Sequence, residues 1–139
     1  MGYTRHNAIL VTTSGHILRG ESEIPAPDID AFRATLPEDW QHLVIGPVKS
    51  LVNDYVTFAF LPDGSKEGWD TSDDGDEYRR RFLELFAYAH DDRSVPSDVL
   101  VVDACFGGDE PGAGNEPELL VTTNVPRATI TGRVYQCED

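Results

Sequence analysis

YVTFAFLPDGSKEGWDTSDDGDEYRRRFLELF, residues Tyr55 to Phe86, changes its hydrophobic period partway along. From Tyr55 to Leu61 apolar character alternates. Val56, Phe58 and Phe60 share one side and Tyr55, Thr57 and Ala59 the other, as successive side chains of a β-strand do. Past the aspartates the spacing becomes helical: Tyr78, Phe82, Leu85, Phe86 and Ala89 recur at i, i+4, i+7, i+8 and i+11. Arg79, Arg80 and Glu84 are expected on the wet side of that helix. A strand therefore hands over to an amphipathic helix through one acidic loop.

Outward from this stretch, Asn7 to Thr12 (NAILVT) is a near-continuous apolar run, suited to a strand buried on both faces. Pro27 to Leu36 reads as a short helix. Pro27 takes its first position, Asp28 and Asp30 lie near its positive end, and Pro37 stops it. His42 to Ile45 forms a short strand ended by Gly46-Pro47, and residues 98–106 (DVLVVDACF) a fourth strand. Residues 119–123 (LLVTT) and 129–136 (TITGRVYQ) supply a fifth and a sixth.

The first six elements run strand, helix, strand, strand, helix, strand. That order predicts an α+β fold: a ferredoxin-like βαββαβ antiparallel sheet with two helices on one face, plus a C-terminal β extension. A single domain is expected over residues 1–139, with the core in 1–109 and an acidic loop and β extension in 110–139. The alternative is an irregular α+β sandwich whose C-terminal strands make their own layer. On the open sheet face Tyr55, Thr57 and Ala59 are expected, joined by Val101, Asp103 and Cys105. The C-terminal strands, a second copy of the chain or another partner would cover it.

Charge narrows the function classes. With 25 acidic residues against 11 basic, the chain carries −14 at pH 7. Phosphate neutralisation needs clustered Lys and Arg, so direct nucleic-acid binding and anionic-membrane binding are disfavoured. Such a surface keeps a protein in solution or steers it to a basic partner. No apolar run approaches the roughly 20 residues a membrane helix needs. The amino terminus has a short apolar run without a small-residue cleavage site, so a cytoplasmic protein is expected. Cys105 and Cys137 are expected as free thiols.

The acidic loop invites a metal reading. Asp70, Ser72, Asp74 and Gly75 match the opening of a calcium-binding helix–loop–helix, but Arg81 stands where the bidentate glutamate belongs. A helix start accounts for more. Ser72 or Asp73 would cap orphan N–H groups, while Asp73, Asp74, Asp76 and Glu77 favour the positive dipole end. Asp63-Gly64 would close the preceding strand in a tight turn, and Trp69 would pack back as a hydrophobic staple. Lys66, Glu67 and Trp69 are left over, which makes them binding candidates. With Tyr55, Asp70, Asp73 and Asp74 they form the expected binding set.

The start MGYTRHNAILVTT, the segment PDGSKEGW (Pro62 to Trp69) and the later strand with its GGDE resemble a group of small proteins of actinobacterial viruses. Those proteins combine a Gly-Tyr-x-Arg-His-x-Ala start with that segment. The resemblance reaches to about Asp109 and implies a phage origin and an accessory role, with no reaction attached. Gly107-Gly108-Asp109-Glu110 also resembles the signature of cyclic-dinucleotide synthases. Here Pro111 replaces the aromatic residue that ends that signature, and the upstream metal aspartates have no counterpart. The four histidines show no paired metal spacing, and neither G-x-S-x-G nor G-x-x-x-x-G-K is present. The expectation is therefore a non-enzymatic acidic phage accessory protein without a cofactor or metal. It would bind a host or viral protein with a basic surface and mimic DNA phosphates with its loops 63–77 and 107–118. A homodimer through the open sheet face is a further expectation. The rival is a small-ligand or divalent-cation site around Lys66, Glu67, Trp69, Asp70 and Asp74.

Overall fold

A computed structural model describes residues 5–21, 25–66, 68–86, 99–107, 118–123 and 129–131, with Arg5 and the last two segments described by backbone alone. The strands are β1 (Arg5–Ser14), β2 (Val44–Lys49), β3 (Tyr55–Phe60), β4 (Val99–Gly107), β5 (Glu118–Thr123) and β6 (Thr129–Thr131). The helices are α1 (Gly15–Leu18), α2 (Ile29–Ala34), α3 (Glu38–Gln41) and α4 (Asp70–Glu84). The architecture is α+β: one open antiparallel sheet, ordered β2-β3-β1-β4-β5-β6, with helices packed on one face.

Strand parity decides which face meets the helices. Ile9 and Val11 of β1, Val56, Phe58 and Phe60 of β3, and Val99 and Val101 of β4 are all buried. Register brings them together, with Val11 opposite both Phe58 and Val101. Ile29 and Phe32 of α2, Leu36, Trp40 of α3, and Phe82 and Phe86 close over them. Phe82 lies at the centre. Its ring centroid is 5.8 Å from Phe32, 5.6 Å from Phe60 and 5.8 Å from Phe86, mostly edge-on, as ring quadrupoles prefer. Val56, Phe58 and Phe60 thus share the core side as expected, and Phe82 and Phe86 both reach the core, although the helix ends at Glu84.

Five sequence expectations about the fold need correction. The strand expected at His42–Ile45 starts later, at Val44, and runs through Gly46-Pro47 to Lys49 instead of ending there. Pro27 precedes the N-cap of α2 instead of opening the helix; the cap is Asp28, whose Oδ1 accepts the Ala31 N–H at 3.0 Å. β1 is not buried on both faces, because Leu10 is 48 % exposed between the buried Ile9 and Val11. β4 runs in the opposite phase from that expected. Val101 faces the helices, while Leu100, Val102 and Phe106 are exposed on the other side. Apolar residues at both parities of VLVVDACF made that phase ambiguous. Finally, β5 and β6 form no layer of their own; they extend the same sheet beyond β4.

The outer edge at β2 carries an irregularity between Ile45 and Val48. Gly46 lies there at φ +127°, and a Cβ on it would come within 2.9 Å of the Phe58 Cα. Only glycine lets the two backbones approach so closely. Arg33 fastens this kink to α2, donating from Nε to the Val44 carbonyl at 3.2 Å and from Nη2 to the Gly46 carbonyl at 3.3 Å. Among the described residues no helix is long and apolar enough to cross a membrane.

Candidate functional site

The PDGSKEGW segment crosses from the end of β3 to the start of α4, and its first task is mechanical. Asp63 Oδ1 accepts the Ser65 N–H at 2.7 Å, an Asx turn that Gly64 completes at φ +81°. The other carboxylate oxygen, Oδ2, accepts from Arg79 Nη1 at 3.1 Å. Both side chains are only 7 % exposed. Arg79 Nη2 reaches Asp76 at 2.8 Å, so the guanidinium bridges a buried and an exposed carboxylate. Burial by itself would raise the Asp63 carboxyl. Hydrogen bonds from Ser65 and the Arg79 guanidinium outweigh it, and the net direction is down.

Arg79 is therefore not on the wet side of the helix. Ser72, Gly75, Arg79 and Phe82 are the buried residues of α4, a stripe at i, i+3, i+7 and i+10. Its first half is small because the loop lies against it: a Cβ on Gly75 would stand 2.6 Å from Asp63 Oδ2 and 3.0 Å from Arg79 Nη1. Stepping back from Phe82 by threes and fours reaches all four residues. That signal is in the sequence, but Ser, Gly and Arg do not advertise a buried face.

The helix also starts earlier than its capping residues suggest. Asp70 is the first helical residue and Trp69 the N-cap, with no side-chain cap bond, while Ser72 is buried inside the first turn. The Trp69 carbonyl accepts from Ser72 N at 2.9 Å and Asp73 N at 3.2 Å. Its indole is 51 % exposed, and Lys66 Nζ lies 5.8 Å from the ring centroid, within cation–π reach. Trp69 is thus a half-exposed cap instead of a staple.

Of the expected binding set, the structure brings Lys66 and Trp69 into contact and places Asp70, Asp73 and Asp74 in the adjoining exposed first turn of α4. Glu67 falls outside the described residues, as do the 108–117 loop, Ala89 and Cys137. Tyr55 stands apart. It opens β3, at the far end of that strand from the loop, roughly 20 Å away at about 3.3 Å per residue.

The electrostatics of α4 separate along its length. Toward the C-terminus Arg80 is held by Glu77 at 2.7 Å and by Glu84, and Arg81 approaches Glu77 at 3.7 Å. These pairs hold Glu77 below the usual carboxylate range, with the hydrogen bond from Arg80 as the leading cause. Asp70, Asp73 and Asp74 have no ion-pair partner among the described residues. Spaced i, i+3 and i+4, they share one side of the helix end, beside an exposed indole. The positive end of the helix dipole favours their charge. Among the described residues no three His, Cys, Asp or Glu side chains are grouped to hold a metal ion.

Sequence reasoning also missed a polar corner at the opposite end of the sheet. Ser14 Oγ and His16 Nδ1 are 2.7 Å apart where β1 runs into α1. Arg19 bridges Glu21 at 3.1 Å and Asp54 at 3.4 Å, and Gly15 N donates to the Asp54 carbonyl at 2.7 Å. Asn53 and Asp54 both adopt left-handed φ, 71° and 55°, which turns the β2–β3 hairpin toward α1. No periodicity could reveal how this corner closes, since Arg19 and Asp54 are 35 positions apart in the chain.

No protein-family model, curated protein or solved structure matches the chain.

Proposed function

We propose that this chain is a non-enzymatic, acidic accessory protein of phage origin that binds a basic surface on a host or viral protein and changes what that protein does. The observation that carries the reading is the end of α4. Asp70, Asp73 and Asp74 stand exposed beside the half-exposed Trp69, with no ion-pair partner among the described residues. The buried Asp63–Arg79 pair fastens the segment to the helix. Charges held on a rigid frame lose little entropy on binding, and a large negative field steers basic partners inward. Carboxylates spaced along a helix end can stand in for backbone phosphates, so a DNA-binding protein is the partner class we favour. For the fold, we read the first four strands with α2 and α4 as a ferredoxin-like unit. The sheet order β2-β3-β1-β4, with every neighbour antiparallel, supports that reading.

The test is capture from an actinobacterial lysate at low salt, beside a D70N/D73N/D74N variant, with elution by salt and by duplex DNA. Retention of a DNA-binding protein that DNA displaces, and that the variant does not retain, is the expected result. Equal retention by the variant would overturn the reading.

A further inference from the structure

The sheet face away from α2, α3 and α4 has no described element over it, because β5 and β6 continue the sheet instead of turning across it. Register sets its side chains in rows. Leu10 has Ala59 on one side and Val102 on the other, and Thr12 lies between Thr57 and Leu100. Exposure is high for apolar residues: 48 % at Leu10, 47 % at Leu100 and 54 % at Val48. With the other large apolar residues of the face, Ile45, Tyr55, Val102 and Phe106, this amounts to roughly 600 Å². The largest apolar patch on a typical monomer is about 300–600 Å², and each partner of a standard interface contributes about 800 Å².

Charge is segregated from this face. The chain holds 25 acidic and 11 basic residues. Among the described residues none of them stands at an outward-facing strand position of β1, β3 or β4. A basic partner would find no carboxylate here to pair with. The two hydroxyls at the centre hydrogen-bond to each other, Thr12 Oγ1 to Thr57 Oγ1 at 2.8 Å, which lowers the cost of desolvating the middle of the face. The sheet edges offer no comparable route. β2 carries Pro47 and a register break, and β6 is three residues long.

We infer that the open face is the interface of a homodimer, two copies stacked sheet on sheet about a two-fold axis. A two-fold interface uses the same patch twice, so an uncharged apolar face is complementary to itself. It also keeps the carboxylates of α4, on the opposite side of the sheet, away from the contact between two chains of −14 each. The sheets would lie about 10 Å apart, with strands within about 30° of each other.

Sedimentation equilibrium on the full chain tests this from micromolar to the highest soluble concentration, beside L100K/V102K and V48D. The wild type should move from 15.4 kDa to twice that mass. Association should tighten several-fold between about 0.05 and 0.5 M salt, as screening removes the repulsion of like-charged chains. L100K/V102K should remain monomeric, and V48D should dimerise at least tenfold more weakly, both with thermal melts unchanged at concentrations low enough for the wild type to be monomeric. A monomeric wild type at the highest concentration overturns the inference, and so does dimerisation by both variants. A monomeric wild type whose L100K/V102K form melts far lower would show that the chain covers its own face, which also overturns it. The outcome is separable from the basic-partner reading. That binding weakens with salt and needs Asp70, Asp73 and Asp74, none of which the dimer uses.

Discussion

Replacing Asp63 with alanine removes the one buried carboxylate that faces Arg79 among the described residues. The guanidinium is 7 % exposed and would keep just the Asp76 contact, at 2.8 Å, to a carboxylate that is itself 71 % exposed. Removing one partner of a buried ion pair costs about 3–5 kcal/mol, because the remaining charge is left without compensation. Asp76 places this case at the low end, about 3 kcal/mol, or about 10 °C in Tm for a domain of this size. Urea unfolding followed by circular dichroism measures it. The pH dependence is a second, independent handle. The folded carboxyl lies below its unfolded value, so its contribution is complete above the unfolded pKa and is lost as pH falls through the folded one. The gap between wild type and D63A should therefore be full at pH 7 and shrink toward pH 3.

Gly75 sharpens the same experiment. Glycine to alanine inside a helix ordinarily stabilises by about 1 kcal/mol. Here the new Cβ would stand 2.6 Å from Asp63 Oδ2, so the buried pair must shift. G75A should cost about 1 kcal/mol in the wild type yet stabilise by about 1 kcal/mol in the D63A background, a coupling near 2 kcal/mol. Coincident urea midpoints for wild type and D63A at pH 7, or a G75A effect of the same sign in both backgrounds, would refute the reasoning.

The core and the α2 contacts make three further predictions. F82A removes the ring at the centre of the aromatic cluster and should cost about 3–5 kcal/mol in urea titrations. D28A removes the cap on Ala31 N and should cost about 1 kcal/mol by the same measurement. R33A breaks the donations to the Val44 and Gly46 carbonyls and should cost about 1–2 kcal/mol. It should also raise hydrogen exchange along the β2 edge ahead of the rest of the sheet.

What could be read from sequence divides along physical lines. The strand at Tyr55–Phe60 and the helix through Phe82 are legible because each buries one face, and burial imprints a period on the residues. Asp63 and Arg79 were legible only as a turn residue and a surface cation. Sixteen positions separate them, and nothing local reports that a loop will fold back onto a helix stripe of small residues.

The two sides of the sheet show the same division. NAILVT and VLVVDACF are apolar at both parities, so the chain by itself determined that these are strands of a sheet with little polar alternation. It could not determine whether the second face is covered. Among the described residues that was decided by where β5 and β6 pair: beside β4, in the plane of the sheet, leaving Leu10, Leu100 and Val102 exposed. Hydrophobic content is a property of each residue and travels with the sequence. What a residue packs against depends on contacts between segments far apart in the chain, and those exist only once the chain has folded.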